Sequence, residues 1–474
     1  MFFESRYRRA SEFLVGETMH AFLATRLEGP LTEPSKTTRE AGQLFKGGIH
    51  RPLLLRQLLL GLQQVVTSRF DWHSYSFVDP VITAAAETLR FEAFSGCAGV
   101  YARIDLTPDF FDRGDFGAPG TTNVDLNPSF VRKLVGLRPD RACALEVGTD
   151  SLRLETHRGE AIEKKVPLPP KWIRGFLQVQ AAQQRSTPLI ELAAPTMRQL
   201  VHDLPAQALQ PLFIDFRGRR PRLLRRAPAG RIAPGSVLSM PGAHRLKLLQ
   251  DVLPGLKKVR LFQVAETGVT VWIGDAEGAR LTLAISGGLN RGFSGDGDAL
   301  LHASGTPGEP GEAIDGSLES LRELIEKHQV ASIEQLMIDR QAKASEIRSG
   351  LDRLAAQGFV GYDRASENYF YRVLPFENAE LPVPPRLRGA QKLIEAGAVQ
   401  VESRRQERRG TVIEGWVRSS GGEYRCRAMV AAGRLVDGDC TCLWVRRHGL
   451  ERGPCKHLLA LRSVAESREG DRHV

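Results

Sequence analysis

The chain has 474 residues, 42% of them hydrophobic and 25% charged, with a net charge of +10. That length is too great for one ordinary core, and the composition is that of a soluble globular protein, so about two to four domains are expected. The cationic balance favours acidic partners, nucleic acid first.

The six cysteines form no paired framework, so a reducing, cytoplasmic setting is the simplest expectation. The opening Met1-Phe2-Phe3-Glu4-Ser5-Arg6 lacks the apolar segment of a signal peptide. The most apolar run, 53–66, is broken by Arg56, Gln57, Gln63 and Gln64 and is too short to span a bilayer, so no membrane partner is expected.

In chain order, residues 1–75 read as a helical region. Segments 17–27 and 53–69 carry apolar residues at helical spacing, joined by a polar connection at 31–46. Residues 76–286 read as an α+β body. Leu89, Phe91, Ala93 and Phe94, then Val100, Ala102, Ile104 and Leu106, predict strands. Segment 117–127 reads as a turn-rich loop entering a helix near Ser129, with Asn127 or Ser129 as its cap and Pro128 in its first turn. A helix at 130–137 precedes strands at 142–147, 151–156 and 161–166. A helix at 244–253 precedes strands at 259–265, 269–273 and 279–285, so the body reads as two duplicated helix-plus-three-strand units. Two more helices are predicted between them, one following Trp172 to about residue 184 and one at 195–204.

Residues 287–316, rich in Gly, Asp, Ser and Pro, read as a linker. In 317–376, Leu318, Leu321 and Ile325 mark one helix, Ile333, Leu336 and Met337 a second, and Ile347, Leu351 and Leu354 a third. Strands at 358–362 and 369–373 follow. Three helices and a hairpin resemble a winged helix-turn-helix. The resemblance implies a third helix that reads the major groove and a hairpin that touches the backbone. Lys343, Arg348 and Arg353 are the candidate contacts there, with acidic Glu346 and Asp352 among them.

Residues 384–474 begin with a helix at 386–398, and strands lead to Cys440-Thr441-Cys442. A basic loop with Arg446, Arg447 and Arg452 then runs to Cys455-Lys456-His457. In a strand, residues two apart face one side, so Cys440 and Cys442 can present both sulfurs to one point. Pro454 suits a first helical position, and Leu458, Leu459 and Leu461 begin an apolar helical face. Cys455 and His457 therefore fall at a helix start, where backbone N–H groups favour a thiolate. Three thiolates and an imidazole make a closed tetrahedral set for one structural Zn²⁺, with no position left for water. His448 stands in the loop as a rival ligand, and Cys426 reads as a core thiol.

C-x-C, twelve residues, then C-x-H resembles the SWIM-type zinc finger, whose β-β-α layout fits strands at 415–430 and 433–442 before the helix. The resemblance carries Cys440, Cys442, Cys455 and His457 over as zinc ligands and covers about the last sixty residues. The stretches at 89–97, 120–125 and 167–176 also look like the N-terminal region of bacterial proteins of the SWIM zinc finger family. The expected fold is therefore α+β multidomain: the duplicated body, a winged-helix-like module and a C-terminal β-β-α SWIM zinc finger.

No Walker-type phosphate loop and no G-x-S-x-G elbow occur. Asp105, Asp112, Asp115 and Asp125 read as solvated aspartates rather than a metal site. Cys97 reads as a buried thiol rather than half of a thiol–imidazole pair with His73. The expectation is a binding protein rather than an enzyme. It would contact nucleic acid, DNA ahead of RNA, through Arg446, Arg447, Arg452, Lys456, Lys343, Arg348 and Arg353. An adaptor for a protein partner such as an ATPase, and an enzyme with an unrecognised N-terminal site, stand as alternatives.

Overall fold

The computed structural model describes residues 12–15, 21–24, 42–70, 79–85, 87–168, 171–208, 210–218, 220–229, 233, 235–264, 267–287, 292–293, 312–374, 385–408, 410–431, 434–450 and 453–470. It divides into two units, Met1–Ala41 and Gly42–Val474. In the first, β1 (Glu12–Val15) and β2 (Ala21–Ala24) pair antiparallel. This corrects the helical reading of 17–27: a short apolar run suits either period, and the pairing decides for the extended one.

The second unit opens with β3 (Gln43–Ile49), which overlaps the end of the expected polar connection at 31–46. Gly47 and Gly48 weaken a helix there, and β3 has sheet partners on both sides. Next come α1 (Pro52–Thr67), with Pro52 in its first turn, then β4 (Val81–Ala85), β5 (Thr88–Phe94) and β6 (Val100–Leu106). Strands β7 (Phe111–Phe116) and β8 (Gly120–Asn123) lead to α2 (Pro128–Val135). The Asn127 side chain caps α2, accepting from the N–H of Ser129 at 2.8 Å and of Phe130 at 3.2 Å. The turn-rich reading of 117–127 missed β8, which pairs with β4 at a sheet edge.

Strands β9 (Cys143–Gly148), β10 (Ser151–Thr156) and β11 (Gly159–Lys164) form a meander. Helix α3 (Lys171–Arg185), β12 (Thr187–Ala193) and α4 (Ala194–Asp203) follow. A small sheet of β13 (Leu212–Asp215), β14 (Arg222–Leu224) and β15 (Val237–Met240) precedes β16 (Lys258–Val264), β17 (Val269–Ala276) and β18 (Ala279–Ile285). The helix expected at 244–253 is instead two 3₁₀ turns, Ala243–Leu249 and Leu253–Gly255. Pro254, without an N–H, cannot continue an α-helical ladder. The two expected helix-plus-three-strand runs enter different sheets. One sheet has the order β11-β10-β9-β3-β7, the other β12-β16-β17-β18-β6-β5-β4-β8.

The eight-stranded sheet is covered on both faces. Leu89, Phe91, Ala93, Val100, Ala102, Ile104 and Leu106 join the core that includes α1 and α2. Phe94 and Tyr101, on the opposite face, join Trp172 and Phe176 of α3 in a second core. That second core continues into α5 (Glu312–His328), β19 (Val330–Ala331), α6 (Ile333–Arg340), α7 (Ala344–Ala356), β20 (Val360–Asp363) and β21 (Asn368–Tyr371). Three helices and a hairpin thus occur in the expected order. The hairpin, however, is buried: Val360, Tyr362, Tyr369, Phe370 and Tyr371 lie inside. This corrects the expectation that it reaches a nucleic-acid backbone, because its residues pair with the body.

That contact is ionic. Arg90, Glu92, Tyr101, Arg103 and Asp105 are buried on the sheet face toward β20 and β21. Arg103 donates to Asp105 at 2.8 Å, to the Tyr362 carbonyl at 3.1 Å, and to the Asp363 carboxylate. Arg372 donates to Glu92 at 2.7 Å, and Arg90 stacks over the Phe370 ring, 3.4 Å from its centroid. Asp105, expected in solvent, also accepts from Arg90 at 2.6 Å.

The C-terminal module has its own core. Helix α8 (Pro385–Glu395) is followed by β22 (Val399–Glu407), β23 (Gly410–Ser419), β24 (Gly422–Ala431) and β25 (Arg434–Cys440), a sheet in sequence order. Helices α9 (Leu443–His448) and α10 (Lys456–Gly470) close it. Most of the expected linker at 287–316 lies outside the described residues; α5 begins within its last turn. Among the described residues no helix is long and apolar enough to cross a membrane.

Candidate metal centre

Strand β25 ends at Cys440, and the chain turns before Cys442, which stands just ahead of α9. The two thiols are thus set by a strand end and a helix start, not by one strand as the spacing suggested. Cys455 directly precedes α10, and His457 is in its first turn. All four side chains are buried, and their ligand atoms lie within 4.8 Å of one another. Cys440 Sγ is 3.7 Å from His457 Nδ1. A zinc tetrahedron with bonds of about 2.3 Å to sulfur separates its sulfurs by roughly 3.8 Å, so these four fit a single ion.

Backbone N–H groups are aimed at the sulfurs. Leu458 N–H donates to Cys455 Sγ at 3.4 Å. The N–H groups of Cys442 and Val445 serve Cys440 and Cys442 in the same way. Such donors stabilise thiolates. Without an ion, hydrogen bonding to a neighbouring thiol is the main effect pushing each thiol up: Cys426 acts on Cys440, Cys455 on Cys442, and Cys440 on Cys455, which rises to about 12. Burial, then the nearby charge of Lys456, lowers His457 to about 4, so its imidazole is neutral at pH 7. His457 Nε2 is buried without a hydrogen-bond partner among the protein atoms. A crowd of protonated thiols beside a neutral imidazole is what a divalent cation relieves by displacing the protons.

Four residues outside the ligand set shape the site, and motif spacing alone did not reveal them. Tyr424 stacks flat on His457, with ring centroids 4.3 Å apart and an interplanar angle of 17°. Cys426, directly opposite Cys440 across β24 and β25, places its Sγ 3.4 Å from that of Cys440. It is therefore a neighbour of the ligand set and more than a core thiol. Arg386 of α8 donates to the carbonyls of Gly453 at 3.0 Å and Pro454 at 2.8 Å, while its guanidinium lies over Trp444. Trp444 Nε1 also donates to the Gly453 carbonyl at 3.0 Å. Arg386 and Trp444 thus fix the backbone that delivers Cys455.

The expected basic contacts fall into separate places. Arg446 and Arg447 are exposed on α9, between the second and third ligands. Lys456 is half-buried and donates to Ser419 Oγ at 2.9 Å, so its ammonium is already engaged. Arg452 lies outside the described residues, as does the His448 side chain. Lys343, just before α7, and Arg348, on it, are exposed, whereas Arg353 is half-buried. Cys97 is buried and accepts from the Phe70 N–H at 3.4 Å; His73 lies outside the described residues.

No protein-family model matches the chain, and neither does any curated protein. Among solved structures, the chain is similar to the proliferating cellular nuclear antigen of Entamoeba histolytica at 11% identity. That match covers 52% of this chain and 98% of the other, with a TM-score of 0.37. A likeness this loose says nothing about function.

Proposed function

We propose that the chain is a nucleic-acid-binding protein whose C-terminal module is a SWIM-type finger pinned by one structural Zn²⁺. The observation that carries this reading is the buried Cys440, Cys442, Cys455 and His457 set, closed on all four sides, with exposed Arg446 and Arg447 on the helix that the ligands bracket. When bound, the ion supplies a crosslink between strand and helix. Four protein donors leave no coordination position for substrate, so its role is structural. Arginines on an element clamped at both ends pair with phosphates at small entropic cost. Replacing Arg446 and Arg447 together by Ala should leave zinc content intact. Binding to short DNA and RNA should weaken about equally across sequences, with a salt slope shallower by about two. Unchanged affinity and slope would reject this use of α9 and favour the protein-adaptor reading.

The pH dependence of metal affinity tests the ligand set separately. At pH 7 the three ligand thiols of the metal-free chain are protonated, so binding releases three protons from sulfur. Apparent zinc affinity, read by chelator competition, should therefore fall at least about a thousandfold from pH 7 to pH 6. A hundredfold fall would mean only two thiolates bind the ion.

A further inference from the structure

The body carries a second cationic feature, separate from the metal centre. No aspartate or glutamate occurs between Asp215 and Asp251, and 217–231 alone contains seven arginines. Its described arginines, Arg217, Arg220, Arg222, Arg225 and Arg226, lie on β14 and on either side of it. The small sheet is firmly based: Leu212, Ile214, Leu238 and Met240 are buried in the main core, and Phe216 and Leu223 pack against it.

The one carboxylate at its base is already used. Buried Asp215 accepts from Arg217 Nε and Nη2, each at 2.9 Å, from the Arg217 N–H at 3.0 Å, and from Arg222 Nη2 at 3.4 Å. Arg220, Arg225 and Arg226 are exposed, and none has an acidic partner among the described residues. Guanidinium groups stay charged at any physiological pH and offer a planar fork of donors that matches phosphate. Mutual repulsion among them is relieved by a polyanion. The turn residues Gly218, Arg220 and Pro221 present no large apolar side chain of the kind that inserts into a lipid surface.

We propose that this arginine hairpin is a second docking surface for the phosphate backbone of a nucleic acid. The inference rests on the nucleic-acid reading above but uses a surface far from the zinc ligands in sequence. Asp215 fixes Arg217 and Arg222 at the base, and the exposed Arg220, Arg225 and Arg226 flank that base.

The test uses the full chain with Arg220→Gln, Arg225→Gln and Arg226→Gln combined, sparing Arg217 and Arg222 and hence the Asp215 pairs. A Lys-for-Arg triple variant keeps the charge. Binding to a short labelled duplex and to the matching single strand is titrated across about 50–200 mM salt, where losing three phosphate contacts should weaken binding about ten- to a hundredfold and flatten the salt slope by two to three. The Lys variant should keep most of the slope. Zinc content and thermal midpoint should match wild type in both. Independently of any variant, duplex should protect the hairpin arginines of the wild-type protein from phenylglyoxal, read by peptide mapping.

If the Gln variant binds as wild type while the Arg446→Ala, Arg447→Ala variant is weakened, the hairpin inference falls and the zinc-module reading stands. The opposite pattern supports the hairpin and removes α9 from the interface. No protection from phenylglyoxal overturns the inference even if the Gln variant fails to fold. Wild type that binds neither nucleic acid at low salt but sediments with anionic vesicles, or is captured only by an acidic peptide, also overturns it.

Discussion

Cys455→Ser should strip the metal and unfold the C-terminal module while leaving Gly42 to Leu374 folded. Structural zinc in a small module contributes about 10–16 kcal/mol of apparent folding free energy at pH 7, far more than this core can replace. The ligands are themselves part of that core, where Cys440, Cys442 and Cys455 pack with Leu458, Leu459 and Leu461. Elemental analysis should find one zinc in wild type and none in the variant, and proteolysis should cut first after residue 385. Cys426→Ser is the sharper control. Its sulfur is 3.4 Å from a ligand yet outside the set of four, so that variant should keep its zinc. Full retention in Cys455→Ser with unchanged proteolysis would sink the assignment.

The sequence made part of this legible. Three cysteines and a histidine within eighteen residues of a cysteine-poor chain can be read directly, as can a helix just after Pro454, although α10 begins only at Lys456 and leaves Pro454 outside it. The turn between Cys440 and Cys442 could not, because C-x-C fits a strand or a strand end equally well. Arg386 was out of reach: it lies 67 residues before the Gly453 carbonyl that it binds, and no local pattern joins them. In the body, the strand pattern of 89–94 and 100–106 was plain. What misled was the second face of those strands. Alternation of Arg, Glu and Asp with apolar residues shows that two faces differ, and the ordinary inference puts the charged face in water. Here it meets β20 and β21, where Asp363 of β20 and Arg372, directly after β21, complete the pairs. The expected exposure of the hairpin failed for the same reason.

That buried network makes the other large prediction. Asp363→Asn keeps the side chain's shape but leaves the fully buried Arg103 with Asp105 as its only carboxylate partner among the described residues. Asp363 also accepts from Ser366 Oγ at 2.8 Å, from the Ala365 N–H at 3.1 Å, and from Arg280 at 3.3 Å. Removing one partner of a buried pair costs about 3–5 kcal/mol, because the other charge stays desolvated. Hydrogen exchange in β20 and β21 should then accelerate by about a hundred- to several-thousandfold. Burial pushes the Asp363 carboxyl up, but Arg103 and then Arg90 outweigh it and hold the group well below the usual carboxylate range. A folded-state value below the unfolded one of about 3.9 means that the contribution is fully present above that pH. It is lost as pH falls through the folded value. Wild-type β20 and β21 should therefore stay protected down to about pH 4 and lose protection below it, whereas Asp363→Asn should already be exposed at pH 7 and change less on acidification. Equal exchange in the two proteins at pH 7 would show that Arg103 is satisfied without Asp363, and that apolar packing alone seats the hairpin on the sheet.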